Sequence, residues 1–395
     1  MTENKSVKQM IGKTFMDIAD AMETGRFKKK VKIGITTLGS EHGIENLVKG
    51  AELAARDDGN FEVVLIGPKV NTSLEVEEVN SEEEMYNKME ELLDKGYLQA
   101  CVTMHYNFPI GVSTVGKVIT PGLGKEMYLA TTTGTASVHR VEAMVKNALY
   151  GIITSKAMGI KEPKVGILNV DGAKQVERAL KELSSNGYNI KFAESMRADG
   201  GAVMRGNDLL RGTADVMVTD TLTGNIMMKV FSSYSTGGSY EALGYGYGPG
   251  IGEDYRRTIL IISRASGVPV VANAIKYGAQ LALGNIMEVA KTEFKEAKRA
   301  KLDEILKSLI KDTKKDKPGE ENLIVPPKEV VTGAVSGIDI MDLEDAVKEL
   351  WRSGIYAESG MGCTGPIVLV SEEKLSKAIS ILEKSKFVVK QGENC

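Results

Sequence analysis

Short apolar runs alternate with amphipathic segments along most of the chain. The runs include VKIGIT, FEVVLIG and PKVGILNV, which begin at Val31, Phe61 and Pro163. Between such runs lie segments with helical spacing of their apolar positions, for example 43–56 and Ala173–Ser185. Parallel strands that are buried on both faces are apolar throughout, and crossover helices separate them in the chain. The pattern therefore predicts an α/β protein with a doubly wound, mostly parallel sheet.

A charged segment interrupts this pattern towards the end of the chain. Residues 311–322, KDTKKDKPGEEN, combine many charges with Pro-Gly and have almost no apolar side chain, which predicts a linker. Before it we expect two α/β lobes, the first at 1–150 and the second at 151–254. Residues at about 255–310 could complete the first lobe. After the linker we expect a small α/β extension at 323–395.

Charge and composition argue against several classes of protein. Lys plus Arg number 50 and Asp plus Glu number 53, a net charge of −3, which argues against a nucleic-acid binder that works by neutralising phosphates. The longest stretch without these charged side chains, 96–116, contains Gln99, His105, Asn107 and Pro109, so no membrane span is predicted. The three cysteines and three histidines have no disulfide-framework or metal-ligand spacing. We expect a soluble, cytoplasmic protein without a metal or a cofactor.

Glycine is in excess, with 42 residues in 395, against a usual share of about 7%. The densest stretch, GYGYGPGIGEDYRR at 244–257, lacks the G-x-G-x-x-G spacing between a strand and a helix that dinucleotide binding requires. Pro249 and the acidic residues after it break that register. We therefore expect a flexible substrate loop here rather than an NAD site. The phosphate-binding motif G-x-x-x-x-G-K-[ST] does not occur either.

Cys363 is the candidate nucleophile. It lies in ESGMGCTGPIVLV, where neighbouring glycines leave the sulfur accessible and leave backbone N–H groups available for a developing oxyanion. The alternative is a structural or incidental loop cysteine, since no obvious general base lies beside it. Cys101, inside the apolar run LQACVTM, is expected to be a buried strand residue. Cys395 is the last residue.

Polar segments that follow apolar runs are candidate anion sites. Four such segments carry Ser113 and Thr114, then Thr131 to Thr133 with Ser137, then Asp220, Thr223, Asn225 and Lys229, and finally Arg264. Turns that lead from strands into helices expose N–H groups and the positive end of the helix dipole, so turns on one carboxyl edge would suit phosphate or an acyl phosphate. The alternative is that these residues are helix caps, which need no ligand. The histidines at 42, 105 and 139 are expected to be cap or turn residues.

Two of these stretches resemble a known family. ADVMVTDTLTGNIMMK resembles the Asp-Gly-Phe-Thr-Gly-Asn-x-x-Leu-Lys signature of the phosphate acyltransferases of phospholipid synthesis, and KVGILNVDGAKQ resembles their Val-Gly-Leu-Leu-Asn-x-Gly stretch. The resemblance runs from about Val31 to Ala300. It implies the two-lobed fold of phosphotransacetylase and isocitrate dehydrogenase, and formation of an acyl phosphate from an acyl thioester and phosphate. The chain departs from the family pattern in two places. Residues 220–222 are Asp-Thr-Leu where the family has Asp-Gly-Phe, and residues 261–263 are Ile-Ile-Ser where the family has Gly-His-Gly.

The body together with the extension resembles the alpha subunits of component C of glycine/sarcosine/betaine reductase complexes. This resemblance implies that Cys363 accepts a two-carbon unit from the partner selenoprotein A as an acetyl thioester, and that inorganic phosphate releases it as acetyl phosphate. It also implies a hetero-oligomer that contains the beta subunit of component C, in an amino-acid-fermenting cell. Two rival interpretations stay open: a free-standing phosphate acyltransferase or phosphotransacetylase that does not need Cys363, and a non-catalytic scaffold subunit.

Overall fold

A computed structural model describes residues 30–57, 59–197, 200–315, 325–336, 338, 343–362, 365–385 and 387–388, with a few residues between 12 and 22. The strands are β1 (Val31–Thr36), β2 (Phe61–Gly67), β3 (Glu75–Glu78), β4 (Ala100–Thr103), β5 (Val112–Ile119), β6 (Glu126–Thr135), β7 (Lys164–Leu168), β8 (Lys191–Phe192), β9 (Val203–Met204), β10 (Val216–Val218), β11 (Gly248–Ile251), β12 (Ile259–Ile261), β13 (Gly333–Ser336), β14 (Ala357–Gly362) and β15 (Gly365–Val370). The helices are α1 (Ile44–Asp57), α2 (Glu82–Asp94), α3 (Arg140–Ala157), α4 (Ala173–Ser185), α5 (Gly206–Arg211), α6 (Thr221–Ser233), α7 (Val268–Leu283), α8 (Ile286–Arg299), α9 (Leu302–Lys315), α10 (Leu343–Arg352) and α11 (Leu375–Lys384). Two 3₁₀ turns span Tyr234–Thr236 and Glu372–Lys374.

The chain divides into two compact units, Met1–Lys311 and Asp312–Cys395. One 12-stranded sheet runs through the first unit in the order β3-β2-β1-β4-β12-β11-β5-β6-β10-β7-β8, with β9 also paired to β7. Its two ends are parallel groups, one from β3 to β12 and one from β6 to β8 and β9. Three antiparallel pairings in succession, β12 with β11, β11 with β5 and β5 with β6, join the groups. The two groups therefore run in opposite directions.

Hydrophobic cores lie on both faces of this sheet. Val63 and Leu65 of β2 belong to one core, and Val64 and Ile66 belong to the other, because successive strand residues point to opposite faces. Helices α1, α3, α4 and α7 cover the first core, while α2 and α6 cover the second. Burial on both faces explains why the strands are continuous apolar runs. The predicted doubly wound α/β class is confirmed.

The second unit is a small α/β structure of its own. Its antiparallel sheet has the order β13-β15-β14 and shares a separate core with α10 and α11, formed by Val335, Val368, Leu350 and Leu382 among others. Pairing of β14 with β15 ends at Gly362 opposite Gly365. Cys363, which lies between these glycines in the sequence, is outside the described residues, as are Cys395 and the predicted linker beyond residue 315.

Three segments that were expected to be irregular lie in strands, and those expectations were wrong. Ser113 and Thr114, predicted to form a polar turn, lie in β5, and Thr131 to Thr133, predicted to form another, lie in β6. Part of the glycine-rich segment, predicted to be a flexible loop, forms β11 at Gly248–Ile251 and is buried between β12 and β5. All three strands take part in the antiparallel pairings at the centre of the sheet, where apolar runs are interrupted by hydroxyls and glycines.

The described residues contain neither a membrane-spanning helix nor a cluster of metal-ligating side chains. None of the helices in that part of the chain has the length and apolar character that a membrane crossing requires. The same residues contain no group of three or more His, Cys, Asp or Glu side chains that could hold a metal ion. Cys101 lies in β4 and is fully buried, as predicted, and burial raises the pKa of its thiol.

Candidate functional site

A cavity of about 560 Å³ lies among the loops that follow β1, β4 and β12, the end of β6 and helix α6. Three of the predicted phosphate-binding residues, Asn225, Lys229 and Arg264, line it. Glu41 and His105 also line it. Two cations, an amide and an imidazole around one polar space form a suitable setting for an anion. We take this cavity, named the anion cavity below, as the candidate functional site.

The expectation of one shared carboxyl edge was wrong. The two parallel groups of strands run in opposite directions, so the sheet has no single carboxyl edge. The anion cavity nevertheless combines segments at the carboxyl ends of both groups, namely the loops after β4 and β12 from one, and the end of β6 with helix α6 from the other. Asn225, Lys229 and Arg264 are brought together by this arrangement.

Arg264 lies in the turn between β12 and α7. Within this turn, the backbone N–H of Ser263 donates to Ser266 Oγ at 3.1 Å, and the carbonyl of Arg264 accepts a hydrogen bond from Glu41 N at 2.9 Å. The Arg264 side chain is exposed and forms no ion pair or side-chain hydrogen bond with any residue that the structure describes. Its backbone is thus held from both sides while its guanidinium remains available to a ligand.

Thr223 binds the N-cap residue of helix α6, Asp220, and does not line the anion cavity. Its backbone N–H donates to Asp220 Oδ1 at 3.1 Å and its hydroxyl donates to Asp220 Oδ2 at 2.7 Å. Arg140 Nη2 donates to the same carboxylate at 3.2 Å. Burial raises the pKa of Asp220, but the hydrogen bonds from Thr223 and the charge of Arg140 outweigh it and lower that pKa below its usual value. The helix that carries Asn225 and Lys229 therefore begins at an ionised cap.

Gly224 allows α6 to lie directly against β6. A Cβ atom at this position would be 1.7 Å from the carbonyl oxygen of Thr131, so no other residue fits without moving the helix. The next residue, Asn225, donates from Nδ2 to the carbonyl of Thr132 at 3.0 Å. Lys229 follows one turn later on the same side of the helix. The Thr-Gly-Asn sequence thus has a physical reason in the close approach of helix and strand.

Ser113 and Thr114 support the cavity wall but do not line the cavity. Pairing of β5 with β6 slips between Ser113 and Val115, which leaves β6 with extra residues at this point. Thr114 Oγ1 contacts Thr132 Oγ1 at 2.7 Å and accepts from the N–H of Thr133 at 3.0 Å, while Ser113 Oγ donates to Asn147 at 2.8 Å. These buried hydroxyls hold the bulge that brings Thr133 to the cavity wall.

The loop after β4 supplies residues that sequence reasoning missed. His105, expected to be a cap or turn residue, is exposed and lines the anion cavity. Its neighbour Tyr106 donates to Glu90 at 2.7 Å and accepts from Arg257 Nη1 at 3.1 Å, and Arg257 pairs with both carboxylate oxygens of Asp94 at 2.8 Å. This network anchors the loop. The sequence does contain a feature that points to this loop, because the loop directly follows an apolar run, as the other candidate segments do.

The other two histidines lie outside this cavity. His42 contacts the carbonyl of Ala265 at 3.3 Å and the edge of the Tyr240 ring. His139 is at the N-cap position of α3 without a side-chain cap hydrogen bond. Both are turn or cap residues, as predicted.

The chain is similar in sequence to proteins of known families. The family model described as "Fatty acid synthesis protein" matches residues 31–369. A glycine/sarcosine/betaine reductase complex component C subunit alpha from Peptoclostridium acidaminophilum is 72% identical over 382 residues, which cover 97% of this chain and 99% of that protein. A phosphate acyltransferase from Thermotoga maritima is 28% identical over 236 residues, 50% of this chain and 68% of that protein.

Among solved structures, a branched-chain phosphotransacylase from Enterococcus faecalis superposes with a TM-score of 0.42 at 15% identity, covering 64% of this chain and 99% of that one. The family model and the Peptoclostridium relative, by contrast, extend across both units of the chain. On that basis the chain belongs to the family of component C alpha subunits of the glycine/sarcosine/betaine reductase complex, which are similar to phosphate acyltransferases.

Proposed function

We propose that this chain carries an acetyl group as a thioester on Cys363 and releases it to inorganic phosphate as acetyl phosphate. Membership of an acyltransferase-like family supports acyl transfer as the reaction class. The anion cavity supports phosphate as the acceptor. The observation that carries the proposal is that Arg264, which has no ion-pair partner among the described residues, lines the same cavity as Asn225 and Lys229.

Inorganic phosphate is a chemically suitable occupant of this cavity. A guanidinium presents several N–H donors in a plane that matches two phosphate oxygens, and an ammonium adds a point charge. Asn225 already donates to the carbonyl of Thr132, so its remaining amide N–H and its oxygen are available for a ligand. Lys229 is 58% exposed, which leaves its ammonium accessible. The exposed imidazole of His105 supplies a further polar group.

The acyl half of the reaction is assigned to Cys363. A thioester keeps most of the acyl-transfer potential and can still be cleaved by phosphate. In the release step, a phosphate oxygen attacks the thioester carbonyl carbon, a C–O bond forms, the C–S bond breaks, and the thiolate of Cys363 leaves with the electron pair. Backbone N–H groups in the glycine-rich sequence around Cys363 would stabilise the oxyanion, worth about 2.7–4 kcal/mol for each donor in comparable sites.

We also propose the partners of the reaction. The Peptoclostridium relative is named as a subunit of a multi-component reductase, which implies a hetero-oligomeric setting for this chain too. The beta subunit of component C would accompany it, and selenoprotein A would deliver the two-carbon unit to Cys363. Glycine, sarcosine or betaine would supply that unit upstream.

Acylation of the full-length chain by acetyl phosphate, the reaction in reverse, tests this proposal. After incubation, mass spectrometry of tryptic peptides should find a hydroxylamine-labile acetyl group on Cys363, and added phosphate should remove it. A free-standing phosphate acyltransferase would instead exchange acetyl groups between acetyl phosphate and a carrier thiol such as coenzyme A, without label on Cys363. A scaffold would do neither.

A further inference from the structure

Glu241 is a buried acid beside the anion cavity that the reaction described above does not use. Only 3% of its surface is exposed, and it lies in the segment between α6 and β11. A buried carboxylate needs hydrogen-bond or charge partners to offset its loss of hydration. The identity of those partners indicates what the side chain does.

The carboxylate of Glu241 joins three parts of the cavity wall. Oε1 accepts a hydrogen bond from Tyr247 Oη at 3.0 Å and lies 3.9 Å from Lys229 Nζ. Oε2 accepts a hydrogen bond from Ser266 Oγ at 3.2 Å. Tyr247 and Lys229 line the cavity, and Ser266 belongs to the turn that carries Arg264. One side chain therefore contacts the residue just before β11, helix α6 and the Arg264 turn.

The backbone of Glu241 grips the same turn. Its N–H donates to the carbonyl of Ala265 at 3.0 Å, and its carbonyl accepts from Gly267 N at 2.8 Å. Glu241 and Ser266 form an isolated parallel bridge. These backbone hydrogen bonds do not involve the side chain, so they can persist when the side chain is substituted. A substitution of Glu241 therefore tests the carboxylate alone.

We propose that Glu241 is a positioning residue for anion binding, which fixes Lys229, Tyr247 and the Arg264 turn relative to one another. This inference rests on the proposed function, because phosphate is taken as the anion. Burial raises the pKa of Glu241, while the hydroxyl of Tyr247, the ammonium of Lys229 and the hydroxyl of Ser266 favour the ionised form.

Glu241→Gln is the informative substitution. Glutamine has nearly the same shape and keeps one acceptor oxygen, but its amide nitrogen cannot accept a hydrogen bond. One of the two hydroxyl donors must then reorient, and Lys229 loses the neighbouring negative charge. Lys229 and Arg264 should then be held less firmly in position, while the fold is kept.

Glu293→Gln is a matched control. Glu293 is also a buried acid, 8% exposed, with a tyrosine and a lysine as partners. Tyr188 Oη donates to it at 2.5 Å and Lys156 Nζ lies at 2.7 Å. It does not line the anion cavity. The control therefore reproduces the loss of a buried carboxylate in the same unit without touching the proposed site.

The test is calorimetric titration of the full-length chain with inorganic phosphate, beside the phosphate dependence of acetyl phosphate turnover. We expect Glu241→Gln to weaken phosphate binding about tenfold, which corresponds to about 1.4 kcal/mol. In a Lys229→Met background the effect of Glu241→Gln should shrink. Tyr247→Phe, which removes one donor, should weaken binding less. Glu293→Gln should lower the melting temperature without changing phosphate affinity.

Phosphate affinity of Glu241→Gln equal to that of the wild type, or changed only as much as in Glu293→Gln, would overturn the inference. So would a wild-type chain that does not bind phosphate. A wild-type chain that binds phosphate but forms no acetyl phosphate contradicts the proposed function alone. The phosphate affinities of the wild type and of Glu241→Gln can still be compared in that case.

Discussion

Arg264 is the side chain on which phosphate affinity should depend most. It lines the anion cavity and has no ion-pair partner among the described residues, so its charge is directed to a ligand rather than to the fold. Loss of a charge-assisted hydrogen bond costs about 1.5–3 kcal/mol. Arg264→Ala should therefore raise the phosphate concentration for half-maximal turnover by roughly 10- to 100-fold and slow acylation of Cys363 by the proposed donor, selenoprotein A, much less.

Arg56→Ala is the control for this change in charge. Arg56 is an exposed arginine in α1, paired loosely with Asp57 at 3.8 Å, and it is not part of the cavity wall. Its variant should keep the phosphate dependence of the wild type, as measured by steady-state turnover. If Arg264→Ala behaves like Arg56→Ala, phosphate binds elsewhere.

Glu241 should give the chain a measurable pH dependence of stability. Burial raises the pKa of this carboxyl above its ordinary value of 4.5. The folded state then holds the proton to a higher pH than the unfolded state, so this group makes folding less favourable as pH rises through that interval. Glu241→Gln cannot titrate. Its stability relative to the wild type should therefore improve as the pH rises above 4.5, measured by urea denaturation without phosphate. A difference that is constant across this range would contradict the assignment.

At the scale of elements, the contact between α6 and β6 holds the cavity in shape. Gly224→Ala would place a methyl group 1.7 Å from the carbonyl oxygen of Thr131. Because that neighbour is backbone, the helix itself has to move, and with it Asn225 and Lys229. We expect a loss of about 1–3 kcal/mol in the free energy of unfolding, together with weaker phosphate binding in calorimetry.

Gly206→Ala is the corresponding control. Gly206 is the first residue of α5, and an added Cβ would have no atom within 4 Å. Its stability should change by no more than about 0.5 kcal/mol, and its phosphate affinity should equal that of the wild type. Wild-type affinity in Gly224→Ala as well would mean that the position of α6 does not matter for the anion.

At the scale of the whole molecule, the sequence predicts the two parallel groups of strands well and their junction poorly. Helix α4 occupies 173–185 as its periodicity indicates, because the spacing of apolar residues is a local property. Strand β5 was missed because Ser113 and Thr114 interrupt its apolar run. Their hydroxyls are satisfied by Asn147 and Thr132, which are 34 and 18 residues away in the chain. Such long-range partners leave no local signal.

The residues of the candidate site also divide into those that have a local signal in the sequence and those that do not. Asn225, Lys229 and Arg264 could be found because each follows an apolar run that ends in a turn. Glu241 could not be found in this way, since its partners Lys229 and Ser266 approach it only after α6 and the turn before α7 have packed. The opposite directions of the two parallel groups also depend on the antiparallel pairings of β11. The sequence does not predict this strand, because half of its residues are glycines.

The most direct test of a thioester on Cys363 is exchange of labelled inorganic phosphate into acetyl phosphate, catalysed by the full-length chain without another acyl acceptor. Such exchange requires that the chain hold the acetyl group while phosphate leaves and a labelled phosphate enters. The wild type should catalyse it, as should Cys101→Ser, whose thiol is buried in β4. Cys363→Ser should abolish it while melting like the wild type. Exchange by Cys363→Ser at the wild-type rate would show that the acetyl group is not held on Cys363.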